Sequence, residues 1–119
     1  MERIRFITRN DKQILLFDLS YCPPAEVEQL VRSLPDYVTA QPLESVLMFV
    51  DFTGASFNDD ALRTMKEAAI FDKPHIKKTA WIGTESLPYS FVEDVSKFSR
   101  RKFPEFKDMA EALEWLTRE

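Results

Sequence analysis

Ser45-Val46-Leu47-Met48-Phe49-Val50-Asp51-Phe52-Thr53-Gly54 is the stretch whose reading decides the fold. Its middle is a continuous apolar run that stops at a carboxylate, with a hydroxyl and a glycine close behind. Strict alternation would mark a strand with one wet face. An unbroken run marks a strand buried on both faces, at the centre of a parallel sheet covered by helices. Asp51 is where that strand leaves the core. In open α/β sheets ligands bind just beyond the carboxyl ends of strands, so the rim starting at Asp51 is the first place to look for function.

Upstream, Ile4 to Thr8 and Ile14 to Asp18 flank the polar Arg9-Asn10-Asp11-Lys12, which reads as a β-hairpin. Arg3, Arg5 and Lys12 are expected to point to water from the outer strand. Cys22-Pro23-Pro24 opens a helix, since proline is tolerated in a first turn. Val27, Leu30, Val31 and Leu34 follow at i, i+3, i+4 and i+7, and Pro35 should end or kink that helix, with Tyr37 and Val38 packing in a further turn.

Downstream, Asn58 or Asp59 is an N-cap for a helix carrying Leu62, Met65 and Ala69, which runs to about Asp72 before Pro74. Lys77 to Gly83 reads as a second buried strand, and Thr84-Glu85-Ser86 as caps at its end. Phe91, Val95 and Phe98 give a third helix, and Lys102-Phe103-Pro104 a short edge strand. Asp108 and Glu111 form a capping box for a last helix with Met109, Ala112, Leu113 and Leu116 on one face and Trp115 beside them. The expected fold class is α/β: a mixed, mainly parallel five-stranded sheet with four main helices, in the order ββαβαβαβα, as one domain over 1–119.

Composition narrows the function. The 119 residues suffice for one core. Only 2 glycines are present, too few for a glycine-rich phosphate cradle. A net charge of -4 lacks the electrostatic footprint of a nucleic-acid binder. One cysteine, Cys22, and one histidine, His75, exclude an internal disulfide and a thiolate–imidazole zinc site. No cofactor and no metal are expected. No stretch approaches membrane-span length, and the N-terminus lacks a signal-peptide apolar segment, so the expected location is cytoplasmic.

Four segments together resemble the SpoIIAA-like family: Val50-Asp51-Phe52-Thr53-Gly54, Lys78-Thr79-Ala80-Trp81-Ile82-Gly83, Phe98-Ser99-Arg100, and Phe106 through Leu116. That family is related to STAS domains and structurally to the CRAL-TRIO lipid-binding fold. The resemblance covers nearly the whole chain and implies a small α/β sheet with helices on its faces. It also implies a non-enzymatic regulator that binds a protein partner or small ligand. In the anti-sigma-factor antagonists a serine at the N-terminus of the helix after the central strand is phosphorylated. The comparable position here falls within Phe57-Asn58-Asp59-Asp60, which has no hydroxyl, and Ser56 lies just upstream. No phosphorylation is therefore expected.

The candidate binding residues are Asp51, Thr53, Gly54, Phe57, Asn58, Asp59, Thr84, Glu85 and Ser86, gathered on one rim if the two buried strands are neighbours. Two helix N-termini aimed into that space would suit an anion. The same residues also read as ordinary turn and cap formers. Phe52 and Phe57 have no evident core position and suggest a contact surface or an apolar pocket. The basic run Arg100-Arg101-Lys102 reads as a solvated helix end or a contact for an acidic partner or phospholipid headgroup. No nucleophile–base set stands out, so the expectation is not an enzyme. It is an interaction domain, with a carrier of a lipid or acyl chain in a Phe/Met-lined pocket as the alternative. The partner class is a protein, a small apolar or anionic ligand, or a second copy in a homodimer.

Overall fold

In the computed structural model, which describes residues 2–88 and 90–118, four strands form one sheet in the order β1-β2-β3-β4. They are β1 (Ile4–Arg9), β2 (Lys12–Asp18), β3 (Val46–Asp51) and β4 (Ile76–Ile82). β1 and β2 form the antiparallel hairpin, while β2–β3 and β3–β4 are parallel, which makes the sheet mixed. The helices are α1 (Pro24–Val38), α2 (Asp59–Phe71), α3 (Phe91–Ser99) and α4 (Met109–Thr117). None of the helices among the described residues is long and apolar enough to cross a membrane.

β3 is buried on both faces. Met48 and Val50 point into a larger core with Val27, Val31, Met65, Phe91 and Val95 from α1, α2 and α3. Leu47 and Phe49 point the other way, against Ala112, Leu113 and Leu116 of α4. At about 25 cal/mol per Å² of apolar surface removed from water, a fully buried Phe49 (1% exposed) contributes on the order of 2–3 kcal/mol.

The sheet has four strands, not five. Lys102 to Pro104 does not form the expected edge strand, and Glu105 makes only an isolated bridge to Trp81. Two hydrogen bonds hold it: Trp81 N–H donates to the Pro104 carbonyl at 3.0 Å, and Phe106 N–H to the Trp81 carbonyl at 2.8 Å. Pro104 has no N–H to extend the ladder. Phe103 instead turns inward and stacks on Trp81 at 4.5 Å, while Phe106 crosses to the α4 side and meets Trp115.

Other expectations shift locally. Pro35 does not end α1, which continues to Val38. Leu34 and Val38 are both buried, and their packing holds the last turn although proline has removed a donor. Phe98 is exposed, and Ser99 takes the buried position at that end of α3. Arg3 and Lys12 do not simply face water: Arg3 donates to the Ser20 carbonyl at 2.9 Å, and Lys12 to the Thr117 carbonyl at 3.1 Å.

Candidate functional site

The parallel strands end together, with Asp18 opposite Asp51 and Asp51 opposite Ile82. Both aspartates turn back on their own chain: Asp18 Oδ1 accepts from Ser20 N–H and Asp51 Oδ1 from Thr53 N–H, each at 2.9 Å. These are Asx-turns. They let the chain leave the sheet without unpaired donors. The loops then knit together. Tyr21 N–H donates to the Thr53 carbonyl at 2.8 Å, Ser56 N–H to the Cys22 carbonyl at 2.9 Å, and Phe52 N–H to the Ile82 carbonyl at 3.0 Å. Ser86 Oγ closes the set by donating to the Phe52 carbonyl at 2.7 Å.

The candidate residues do gather on this rim, with their backbone largely bonded to itself. Asn58 is the N-cap of α2, its Oδ1 accepting from Ala61 N–H at 2.8 Å. Asp59 occupies the exposed first turn, where negative charge suits the helix dipole. Thr84, Glu85 and Ser86 form a single 3-10 turn and do not cap α3, which begins at Phe91 after Ser90. Of the two helix starts expected among these residues, only that of α2 is formed, capped by Asn58. Thr84 Oγ1 donates to the Glu105 carboxylate. Phe52 is fully buried, edge-on to Trp81 at 4.8 Å, and Phe57 packs partly against it. Both belong to the core more than to a contact face.

Two glycines fit the rim for different reasons. A Cβ on Gly83 (φ +69) would lie 2.4 Å from the Thr53 backbone nitrogen, whereas one on Gly54 (φ +67) would meet the exposed Tyr21 ring at 2.4 Å. Cys22 beneath the rim is buried and its Sγ donates to Glu26 at 3.6 Å. Burial pushes its thiol up to about 11, which leaves it a packing group with no nucleophilic character at neutral pH.

A second constellation lies at the opposite end of the sheet, where α2 and α3 finish and β4 starts. An apolar cavity of about 50 Å³ sits between the sheet and α1–α3, lined by Met48, Met65, Phe52, Trp81 and Phe91 among others. Its polar lining is Asp72, just past α2, and Arg101, just past α3. Asp72 is 1% exposed and its Oδ1 has no hydrogen-bond partner. Burial pushes its carboxyl up to about 6, against the pull of Arg101 and His75. Burial likewise pushes Arg101 down to about 10, against the pull of Asp72. The guanidinium is fixed: Nη1 donates to the Ala69 carbonyl at 2.9 Å, Nη2 to Thr79 Oγ1 at 2.7 Å, and it lies 4.8 Å from the Phe103 ring centre. The basic run is therefore not wholly a solvated helix end. Neither Asp72 nor Arg101 stood out in the sequence, where one reads as a helix terminus and the other as one cation of three.

No protein-family model matches the sequence, and no curated protein matches it. Among solved structures, a crystal structure of an uncharacterised protein from the DUF3478 family with a SpoIIAA-like fold, from Shewanella loihica PV-4, is similar to this chain with a TM-score of 0.72. Identity is 20%, over 95% of this chain and 91% of that one. The chain thus has the SpoIIAA-like fold that its sequence motifs implied.

Gly83→Ala is expected to cost at least about 3 kcal/mol in urea unfolding, because strain and a backbone clash add. Gly54→Ala should cost only about 1 kcal/mol, since Tyr21 can swing aside. Equal costs would contradict the locked contact at Gly83. Asp72 supplies a pH signature. The unfolded chain loses this proton near pH 4 and the native state near 6. Between those values only the native state holds it, so its contribution to stability falls as pH rises through the window and is level above. Asp72→Asn removes that fall. In unfolding at pH 4.5 to 7.5, the variant's stability relative to wild type should climb up to about pH 6 and then flatten; a constant difference would show that no buried carboxyl titrates there.

Proposed function

We propose that the domain is a non-catalytic, STAS-type interaction module that meets a protein partner across the rim of Asp51, Thr53, Asn58, Asp59 and Glu85. The observation that supports this reading is the rim's rigidity combined with exposure. Its turns are held by Asp51, Asn58 and Ser86, while Thr53, Asn58, Asp59, Asp60 and Glu85 face water. A surface ordered in advance loses little entropy when a partner docks. Four carboxylates, those of Asp51, Asp59, Asp60 and Glu85, favour a basic contact patch on that partner. In affinity capture from source-cell lysate with quantitative mass spectrometry, the double variant Asp59→Lys, Asp60→Lys should lose a specific partner at least about tenfold while keeping the wild-type circular dichroism and melting temperature. Undiminished capture by the folded variant would place the contact on another face.

The cavity favours a second reading, a carrier of a small apolar ligand. The CRAL-TRIO resemblance points in the same direction. The cavity's 50 Å³ restricts the occupant as the protein stands, because an engineered cavity of about 150 Å³ is what admits benzene. Native mass spectrometry of freshly isolated protein tests it: a co-purifying small mass supports the reading, and bare protein alone counts against it.

A further inference from the structure

β1 is the open edge of the sheet. It pairs with β2 on one side, and among the described residues no other backbone segment bonds to its far side. The register settles which groups face outward. Asn10 and Asp11, both at positive φ, make the two-residue turn of the hairpin. Ile4 stands opposite Phe17, and the bond from Asp18 N–H to the Arg3 carbonyl at 2.8 Å brackets that pair from outside. Ile4 is therefore in a non-hydrogen-bonded pair, and by alternation so are Phe6 and Thr8. The N–H and C=O groups of these three residues point away from β2, free to extend the sheet. We propose that this edge receives an extended segment of a partner protein as a fifth strand, and that the segment carries two acidic residues four positions apart with apolar residues between them.

The side chains of β1 set that pattern. A strand added to a sheet places each residue on the same face as the residue it stands opposite. Arg5 and Arg9 share one face of β1 with Ile7 between them, both are exposed, and neither forms an ion pair or side-chain hydrogen bond with a described residue. Carboxylates opposite these two arginines meet unpaired cations. Ile7 packs against the α4-side core and takes an apolar neighbour. On the other face Phe6 is 37% exposed beside the buried Ile4, and an apolar side chain opposite it would cover the ring. Main-chain bonds supply affinity in such a contact and alternate side chains supply selectivity. A second copy of β1 fits the backbone but not the charges. Antiparallel pairing centred on Ile7 sets Arg5 opposite Arg9, and pairing centred on Phe6 sets Arg9 opposite Arg3. Like charges directly opposite each other destabilise a strand pair. The arginines thus repel a copy of their own strand and admit an acidic one. This surface is separate from the rim after β3, whose own charge is acidic.

The test titrates two peptides into the intact, ¹⁵N-labelled protein: Ser-Glu-Val-Val-Val-Glu-Ser, which reads the same in both directions and so fits either strand orientation, and its counterpart with lysine for both glutamates. The acidic peptide should give saturable shifts of the Ile4, Phe6 and Thr8 amides and bind about tenfold or more tightly than the basic one. At saturation, hydrogen exchange should slow about tenfold at those three amides and stay unchanged at Arg5 and Ile7, which β2 already holds. The double variant Arg5→Glu, Arg9→Glu should reverse the preference between the peptides. Thr8→Pro removes one outward N–H without touching the ladder to β2, and should weaken the acidic peptide about tenfold; should that variant fail to fold, the charge reversal and the exchange pattern still decide. Equal binding of both peptides, or saturable binding of neither, would overturn the proposal. So would protection of the same amides in the free protein that grows with its concentration, since a second copy would then occupy the edge.

Discussion

Burial of β3 on both faces is the constraint from which the rest of the structure follows. A strand wet on one side needs a single cover; this one needs two, and the chain divides its helices unequally to supply them. α1, α2 and α3 form the thick layer over Met48 and Val50, and α4 alone covers Leu47 and Phe49. Polar bonds add to the apolar contact that holds the thin layer. Lys78 Nζ donates to the Trp115 carbonyl at 3.2 Å and the Arg118 carbonyl at 2.9 Å, and stands 4.9 Å from the Trp115 ring centre. It thereby satisfies carbonyls that the end of α4 would otherwise leave to water. Asn10 and Lys12 bind Thr117 from the hairpin side.

The parallel crossovers also sort charge between the two ends of the molecule. Each helix that follows a strand runs back antiparallel to it, so α2 starts beside Asp51 and finishes beside the start of β4. Asp59 and Asp60 lie in the first turn of α2, and Lys73 lies just past its end, where Nζ donates to the Ser99 carbonyl at 3.1 Å. Lys77 and Lys102 border the same end. The helix dipoles favour this arrangement at both termini. One end is acidic and closely knit, the other basic and underlain by the cavity. A protein contact and a small-molecule site thus need not compete for the same residues.

The sequence revealed the parts of this structure that depend on local pattern. The apolar run of β3, the i, i+3, i+4 spacing in α1 and α2, and the caps Asn58 and Asp108 each state their role within a few residues. The errors fell where a distant contact overrides local pattern. Phe103 and Pro104 look like a strand, yet stacking on Trp81 draws Phe103 out of one. Phe98 continues the helical spacing of α3, but the buried stripe runs Phe91, Val95, Ser99, so Ser99 is the residue turned inward. The rim residues lie together because the ends of β3 and β4 are neighbours, as the sequence expected. It overstated the number of helix starts among them, because Thr84 to Ser86 closes into its own turn. Asp72 and Arg101 were invisible for a simpler reason. They are 29 positions apart, and only the crossing of α2, α3 and β4 brings them to one cavity.

That juxtaposition is the one place where the core departs from close packing and from full polar pairing at once. Either departure alone has a plain remedy. A void can be filled by a larger side chain, and a buried ion pair can be exchanged for apolar groups at little or no cost in stability. Filling the void alone leaves Asp72 Oδ1 without a donor, so only a change that also replaces the buried charges would restore both packing and pairing. Among the described residues Asp72 Oδ1 is the lone buried side-chain nitrogen or oxygen without a partner. Asp72 shares the lining of the cavity with Arg101, whose guanidinium is held by hydrogen bonds to Ala69 and Thr79.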